Sequence, residues 1–197
     1  MAIKILGVCG SMRAQSYSSR AAGLTLAAAR AHGAETRLLD LRAAGLPTYS
    51  PDAGFAGHEG LSAANAAVEW ADAFLLATPD YHGSMSGALK NFLDFYWEEF
   101  AGKLFGYVCA SHEKGLTAMD QMRTAVRQCY GWSLPYGVSL YGEKDFDAAG
   151  RITNAQLERR LRMLARDLVV YGSFLREQFR RDLADASAET FAARYRV

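Results

Sequence analysis

Ile3-Lys4-Ile5-Leu6-Gly7-Val8-Cys9, followed by Gly10-Ser11-Met12-Arg13-Ala14-Gln15-Ser16-Tyr17-Ser18-Ser19, is the stretch from which the fold is read. Its first half is rich in β-branched and aliphatic residues and ends at a glycine, the pattern of a buried strand and its exit. Its second half is a polar loop opening an Ala-rich helical segment, 18–32, with Gly33 placed as the helix stop. Working outward, the same alternation repeats. Strands are expected at 35–39, 73–78, 104–111 and 138–141, and helices at 61–70, 85–100, 116–130 and from about residue 154. Residues 44–60 hold Pro47, Pro51 and four glycines, so they form a loop. Five strands alternating with helices call for a parallel sheet covered on both faces. The doubly wound order 2-1-3-4-5 fits, with its ligand site at the carboxyl ends of the strands beside the switch point.

The totals narrow the classes. The chain has 197 residues, enough for one domain with a C-terminal extension, and is 50% hydrophobic, which speaks against disorder. With 22 basic and 21 acidic residues, net charge +1, it has no electrostatic case for nucleic acid or an anionic membrane. Three cysteines, Cys9, Cys109 and Cys129, lack CxxC spacing, so neither a disulfide framework nor a metal site is expected. No segment reads as a signal peptide or a membrane span, and the expectation is a soluble, cytoplasmic protein.

The first loop reads as an anion site. A strand-to-helix loop brings backbone N–H groups to a helix N-terminus, where partial positive charge favours phosphate. Four serines and one arginine within nine residues add donors suited to a dianion. One serine would be enough for a helix cap; this set exceeds that need. The loop has neither G-x-G-x-x-G nor G-K-[ST], which excludes the usual dinucleotide turn and the P-loop.

After the third strand stands Thr78-Pro79-Asp80-Tyr81-His82-Gly83-Ser84-Met85-Ser86-Gly87-Ala88-Leu89-Lys90-Asn91-Phe92-Leu93-Asp94. With Gly10-Ser11-x-Arg13-x-x-Ser16, this segment resembles the NADPH-dependent FMN reductase family, which includes quinone, chromate and azo-dye reductases. A weaker echo is Phe146 to Thr153, and the likeness runs over about residues 3–172. The resemblance implies a flavodoxin-like fold; residues 1–179 are expected to form the FMN-binding domain, and the amphipathic tail, 180–197, which lies outside the likeness, a helical extension. It implies FMN and NAD(P)H as cofactors and a homodimer or homotetramer. Ser11, Arg13, Ser16 and Ser18 would hold the FMN phosphate. Pro79, Tyr81, His82, Gly83 and Ser84 would line the isoalloxazine edge, and Ser111 could reach its pyrimidine end. Gly83 would permit close backbone approach to the ring. His82 departs from the family's usual asparagine. His112-Glu113-Lys114 stands where relatives have a glycine-rich run, as a solvated turn or as added bulk and charge beside the ring.

The expected activity is transfer of reducing equivalents from NAD(P)H through flavin to a small acceptor such as a quinone or chromate, with no side chain acting as acid or base. A non-enzymatic electron carrier of the flavodoxin type would need a charged docking face, which the near-neutral balance does not supply. A receiver-type signalling domain would need acidic residues where Gly10 and Ser11 stand. Leu89, Phe92, Leu93, Tyr96 and Phe100 form a helical stripe for the sheet, leaving Phe95 and Trp97 off it for a subunit interface. Leu157, Leu161, Leu164, Leu168 and Leu175, with Tyr171 in the gap, form a second stripe read as core.

Overall fold

The computed structural model describes residues 1–185, 189 and 190. In chain order the elements are β1 (Lys4–Cys9), α1 (Tyr17–Ala31), β2 (Glu35–Asp40), α2 (Leu41–Ala44), α3 (Glu59–Trp70), β3 (Ala73–Pro79), α4 (Gly87–Asp94), a 3₁₀ turn (Glu98–Phe100), β4 (Leu104–Ala110), α5 (Leu116–Gln128), β5 (Trp132–Ser133), β6 (Val138–Leu140), α6 (Gly142–Asp145) and α7 (Ala155–Ala184). Side chains alternate across the central strands, as a pleated strand requires. Ile5, Leu75 and Val108 join one core with Leu26, Leu161 and Leu168 of α1 and α7. Leu6, Phe74, Leu76, Phe105 and Tyr107 join the other, with Leu89, Phe92 and Met119 of α4 and α5. All the strand pairs are parallel, in the order β2-β1-β3-β4-β5, the flavodoxin-like doubly wound arrangement.

Three expectations are corrected in detail. The fifth strand position is shared: β5 pairs with Leu104 and Phe105, and β6 pairs farther along β4 with Val108 to Ala110. The helix expected over 85–100 starts later and ends at Asp94. Phe95 packs its ring against Tyr49 and Phe55 of the preceding loop, at 5.2 and 5.1 Å, so it is not free for a partner. Trp97 is 62% exposed. On α7, Tyr171 points outward and Gly172 takes the inward position, where a Cβ would stand 2.5 Å from Ile3 Cδ1. Helix α7 runs unbroken through residue 180 to Ala184; residues 186–188 and 191–197 of the expected extension lie outside the described residues.

Two devices set the carboxyl edge of the sheet. The buried Ser86 hydroxyl caps α4 by accepting from Leu89 N at 3.2 Å and donates to Gly10 O at 2.6 Å. Ser86 N donates to Thr78 Oγ1, and Gly10 N donates to Ala77 O. The first loop is thereby tied to the third through buried, paired polar groups. The second device is the turn Tyr81-His82-Gly83-Ser84. Tyr81 and Ser84 exchange backbone hydrogen bonds of 2.9 and 3.1 Å, while His82 and Gly83 have φ of +58° and +78°. Two positive φ values define a type I′ hairpin turn, which favours Asn-Gly. Gly83 is therefore demanded by the turn itself; an added Cβ would have only Thr117 Oγ1 near it, at 3.4 Å.

Replacing Ser86 by Ala removes the cap and strands a buried acceptor, so stability falls by about 2–3 kcal/mol in urea unfolding. His82→Asn relieves the left-handed position and raises stability by up to about 1 kcal/mol, whereas Gly83→Ala lowers it by about 1 kcal/mol. Equal midpoints for these two variants would contradict the turn assignment.

Candidate functional site

The first loop ends where Ser16 caps α1, its Oγ accepting from Ser19 N at 3.3 Å. Ser18, fully buried, shares a hydrogen bond of 2.9 Å with the same Oγ and so stands behind Ser16 rather than at the surface. Ser11 is buried and its Oγ accepts from Arg13 N at 3.3 Å, folding the loop back on itself. Arg13 is exposed. No acidic residue sits in the first turn of α1, so the positive end of the helix dipole is unopposed there.

Ser11, Arg13 and Ser16 line a cavity of about 160 Å³ together with Tyr17, Pro79, Asp80, Tyr81, Ser111 and His112. The first, third and fourth loops, far apart in sequence, thus meet at one place. A larger open groove of about 1530 Å³ adjoins it, lined by His82, Gly83, all of residues 111–117, and residues 135–137 and 139–141. Hydroxyls, a guanidinium and a helix N-terminus at one end fit the phosphate of a mononucleotide. Aromatic and backbone surfaces toward the groove fit a flat ring. Of the residues singled out from sequence, Ser18 and Ser84 line neither space. Ser84 turns its hydroxyl to Gln121 Oε1 of α5, at 2.5 Å.

Asp80 is the residue the sequence reading passed over. Its Oδ1 accepts from Gly83 N and its Oδ2 from Ser111 Oγ, both at 2.8 Å. Ser111 Oγ in turn accepts from Glu113 N at 3.0 Å. The Ser111 hydroxyl is therefore engaged as donor within the protein. His112, Glu113 and Lys114 are all exposed, and all line the groove. His112 meets the ring of Tyr141 edge-on at 5.1 Å, and Lys144 lies over the same ring at 4.1 Å. Beneath the loops, burial pushes the Cys9 thiol up to about 11 and the Cys109 thiol up to about 12, the charge of Asp80 adding to the latter. Both stay neutral thiols near pH 7, unsuited to nucleophilic work. Among the described residues no group of three His, Cys, Asp or Glu could hold a metal ion, and no helix is long and apolar enough to cross a membrane.

The chain matches the family model for NADPH-dependent FMN reductases over residues 3–144, which leaves the Phe146–Thr153 echo outside. It is 31% identical over 161 residues to an NAD(P)H-dependent FMN reductase of Pseudomonas aeruginosa, spanning 76% of this chain and 84% of that enzyme. An NADPH azoreductase of Bacillus sp. is 33% identical over 111 residues, 55% of this chain; the match spans 62% of that relative's length, less than two thirds. The flavoenzyme NAD(P)H:(acceptor) oxidoreductase FerB of Paracoccus denitrificans shares the fold, with a TM-score of 0.74 at 18% identity over 88% of this chain and 98% of that one. With the doubly wound sheet, the hydroxyl-rich first loop and this match over most of its length, the chain belongs to the NADPH-dependent FMN reductase family, flavodoxin-like oxidoreductases that work with FMN and NADPH.

Proposed function

We propose that this protein holds FMN across its first, third and fourth loops and passes electrons from NAD(P)H to a small conjugated acceptor such as a quinone or azo compound, or to chromate. The observation that carries this reading is the shared cavity of Ser11, Arg13 and Ser16 with Pro79, Tyr81 and Ser111. In this reading Ser11, Arg13 and Ser16 bind the phosphate, with Ser18 bracing Ser16 from behind. Pro79, Tyr81, His82 and Gly83 present the ring edge with backbone groups, and Ser84 keeps the turn closed through its backbone. Held by these residues, bound FMN would supply the redox chemistry, hydride acceptance and onward electron transfer. The chain's own task is to anchor the phosphate, fix the ring edge and leave the groove open beside it for donor and acceptor. No side chain is assigned a proton transfer. Residues 1–179 form the cofactor domain and the remainder extends it; the site of action is the cytoplasm.

A flavodoxin-type electron carrier is disfavoured by the charge balance of 22 basic against 21 acidic residues. The two readings separate on steady NADPH oxidation by the purified protein, which only a reductase sustains. The exposed indole of Trp97 supports a homodimer or homotetramer.

Replacing Arg13 by Ala removes a charge-assisted contact and weakens FMN by about 1.5–3 kcal/mol, while riboflavin, which lacks the phosphate, binds as before. Equal weakening of both flavins in a fluorescence titration would contradict the phosphate assignment. Trp97→Glu shifts the protein toward smaller species in sedimentation; a wild-type monomer at micromolar concentration would contradict the assembly.

A further inference from the structure

Asp80 stands at the junction of the two spaces. It is the only carboxylate among the described residues that lines both the cavity and the groove. Its place follows from the sheet register: Pro79 pairs with Ala110, so the residues that follow, Asp80 and Ser111, leave adjacent strands side by side. The backbone continues the ladder, Asp80 N donating to Ala110 O at 2.8 Å. Being an acceptor only, the carboxylate fixes the direction of every bond around it. Gly83 N–H points at Oδ1, the Ser111 hydroxyl points at Oδ2, and Glu113 N–H points at the Ser111 oxygen. One side chain thereby closes the turn after β3 and holds the loop after β4 at a set distance from it.

We infer that Asp80 is the positioning residue of the flavin site, that it sets the gap between the two loops through Ser111, and that its charge disfavours a second negative charge in that gap. The inference rests on the FMN reading above. Two consequences separate the roles. The tether acts on any flavin, with or without phosphate, because it shapes the ring end of the site and not the anchor. The charge acts on the reduced flavin, which carries more negative charge than the oxidised form, and so lowers the reduction potential. The field of this carboxylate reaches its surroundings, since it adds to the upward shift of the buried Cys109 thiol.

The test uses Asp80→Asn and Ser111→Ala, each loaded with FMN. Asp80→Asn removes the charge; reduced FMN is then favoured over oxidised FMN by about tenfold relative to wild type. That corresponds to a midpoint potential about 30 mV more positive for a two-electron couple. Ser111→Ala keeps the carboxylate and cuts the tether. It weakens FMN and riboflavin alike by about five- to tenfold and leaves the potential at the wild-type value. The potential is the readout that a purely structural role would not move. An Asp80→Asn potential equal to wild type overturns the inference, as does a Ser111→Ala shift as large as that of Asp80→Asn. If Asp80→Asn fails to fold, Ser111→Ala decides: unchanged affinity for both flavins overturns the inference. A wild-type apoprotein that binds no FMN overturns the underlying reading, and this inference with it. Normal FMN binding with unresponsive variants overturns this inference alone.

Discussion

A buried serine hydroxyl, that of Ser86, joins the parts on which the site depends. A buried polar group without a partner is costly, so the chain route at the carboxyl edge of the sheet must pair each one. Ser86 does so in two directions, capping α4 and donating to Gly10 O. Because Gly10 is the first residue past β1, this bond sets where the first loop leaves the sheet relative to the third. The space between Arg13 and Tyr81 exists because those two exits are fixed to each other. A parallel sheet places strand ends side by side, but it leaves the loops beyond them free. Here Ser86 fixes the first against the third, and Asp80 fixes the third against the fourth.

The alternation of strands and helices was legible because β1, β3 and β4 are apolar runs with a glycine or proline at or near one end, and the doubly wound order fits that alternation. What the sequence hid depends on distant packing. The stripe through Phe100 continues helical spacing past Asp94, but Phe95 finds Tyr49 and Phe55 in the preceding loop, and the helix ends there. β5 is two residues long, too short to leave a periodic signal, and Leu134 to Gly137 separates it from β6. A four-three leucine spacing fills its gap with Tyr171, whereas packing against Ile3 admits only Gly172 at that turn. The candidate site was read from its motifs, yet Asp80 beside a proline looks like any turn former. Its acceptor role belongs to a partner 31 positions away, which only the β3–β4 register brings near.

The assembled site is electrostatically graded. At one end lie a guanidinium, serine hydroxyls and a helix N-terminus, suited to a phosphate dianion. Where the cavity meets the groove lies a carboxylate whose oxygens are satisfied within the protein. Along the groove, the exposed His112, Glu113 and Lys114 bring both signs of charge close to where an acceptor would approach. The near-neutral whole-chain balance therefore conceals a local order that a sum over residues cannot display.

The most direct measurement is the absorbance of the FMN-loaded protein on anaerobic addition of one equivalent of NADPH. The account predicts that the oxidised-flavin bands bleach and return when a quinone is added. Bands that persist in the presence of NADPH, with FMN bound in a one-to-one ratio, would contradict it.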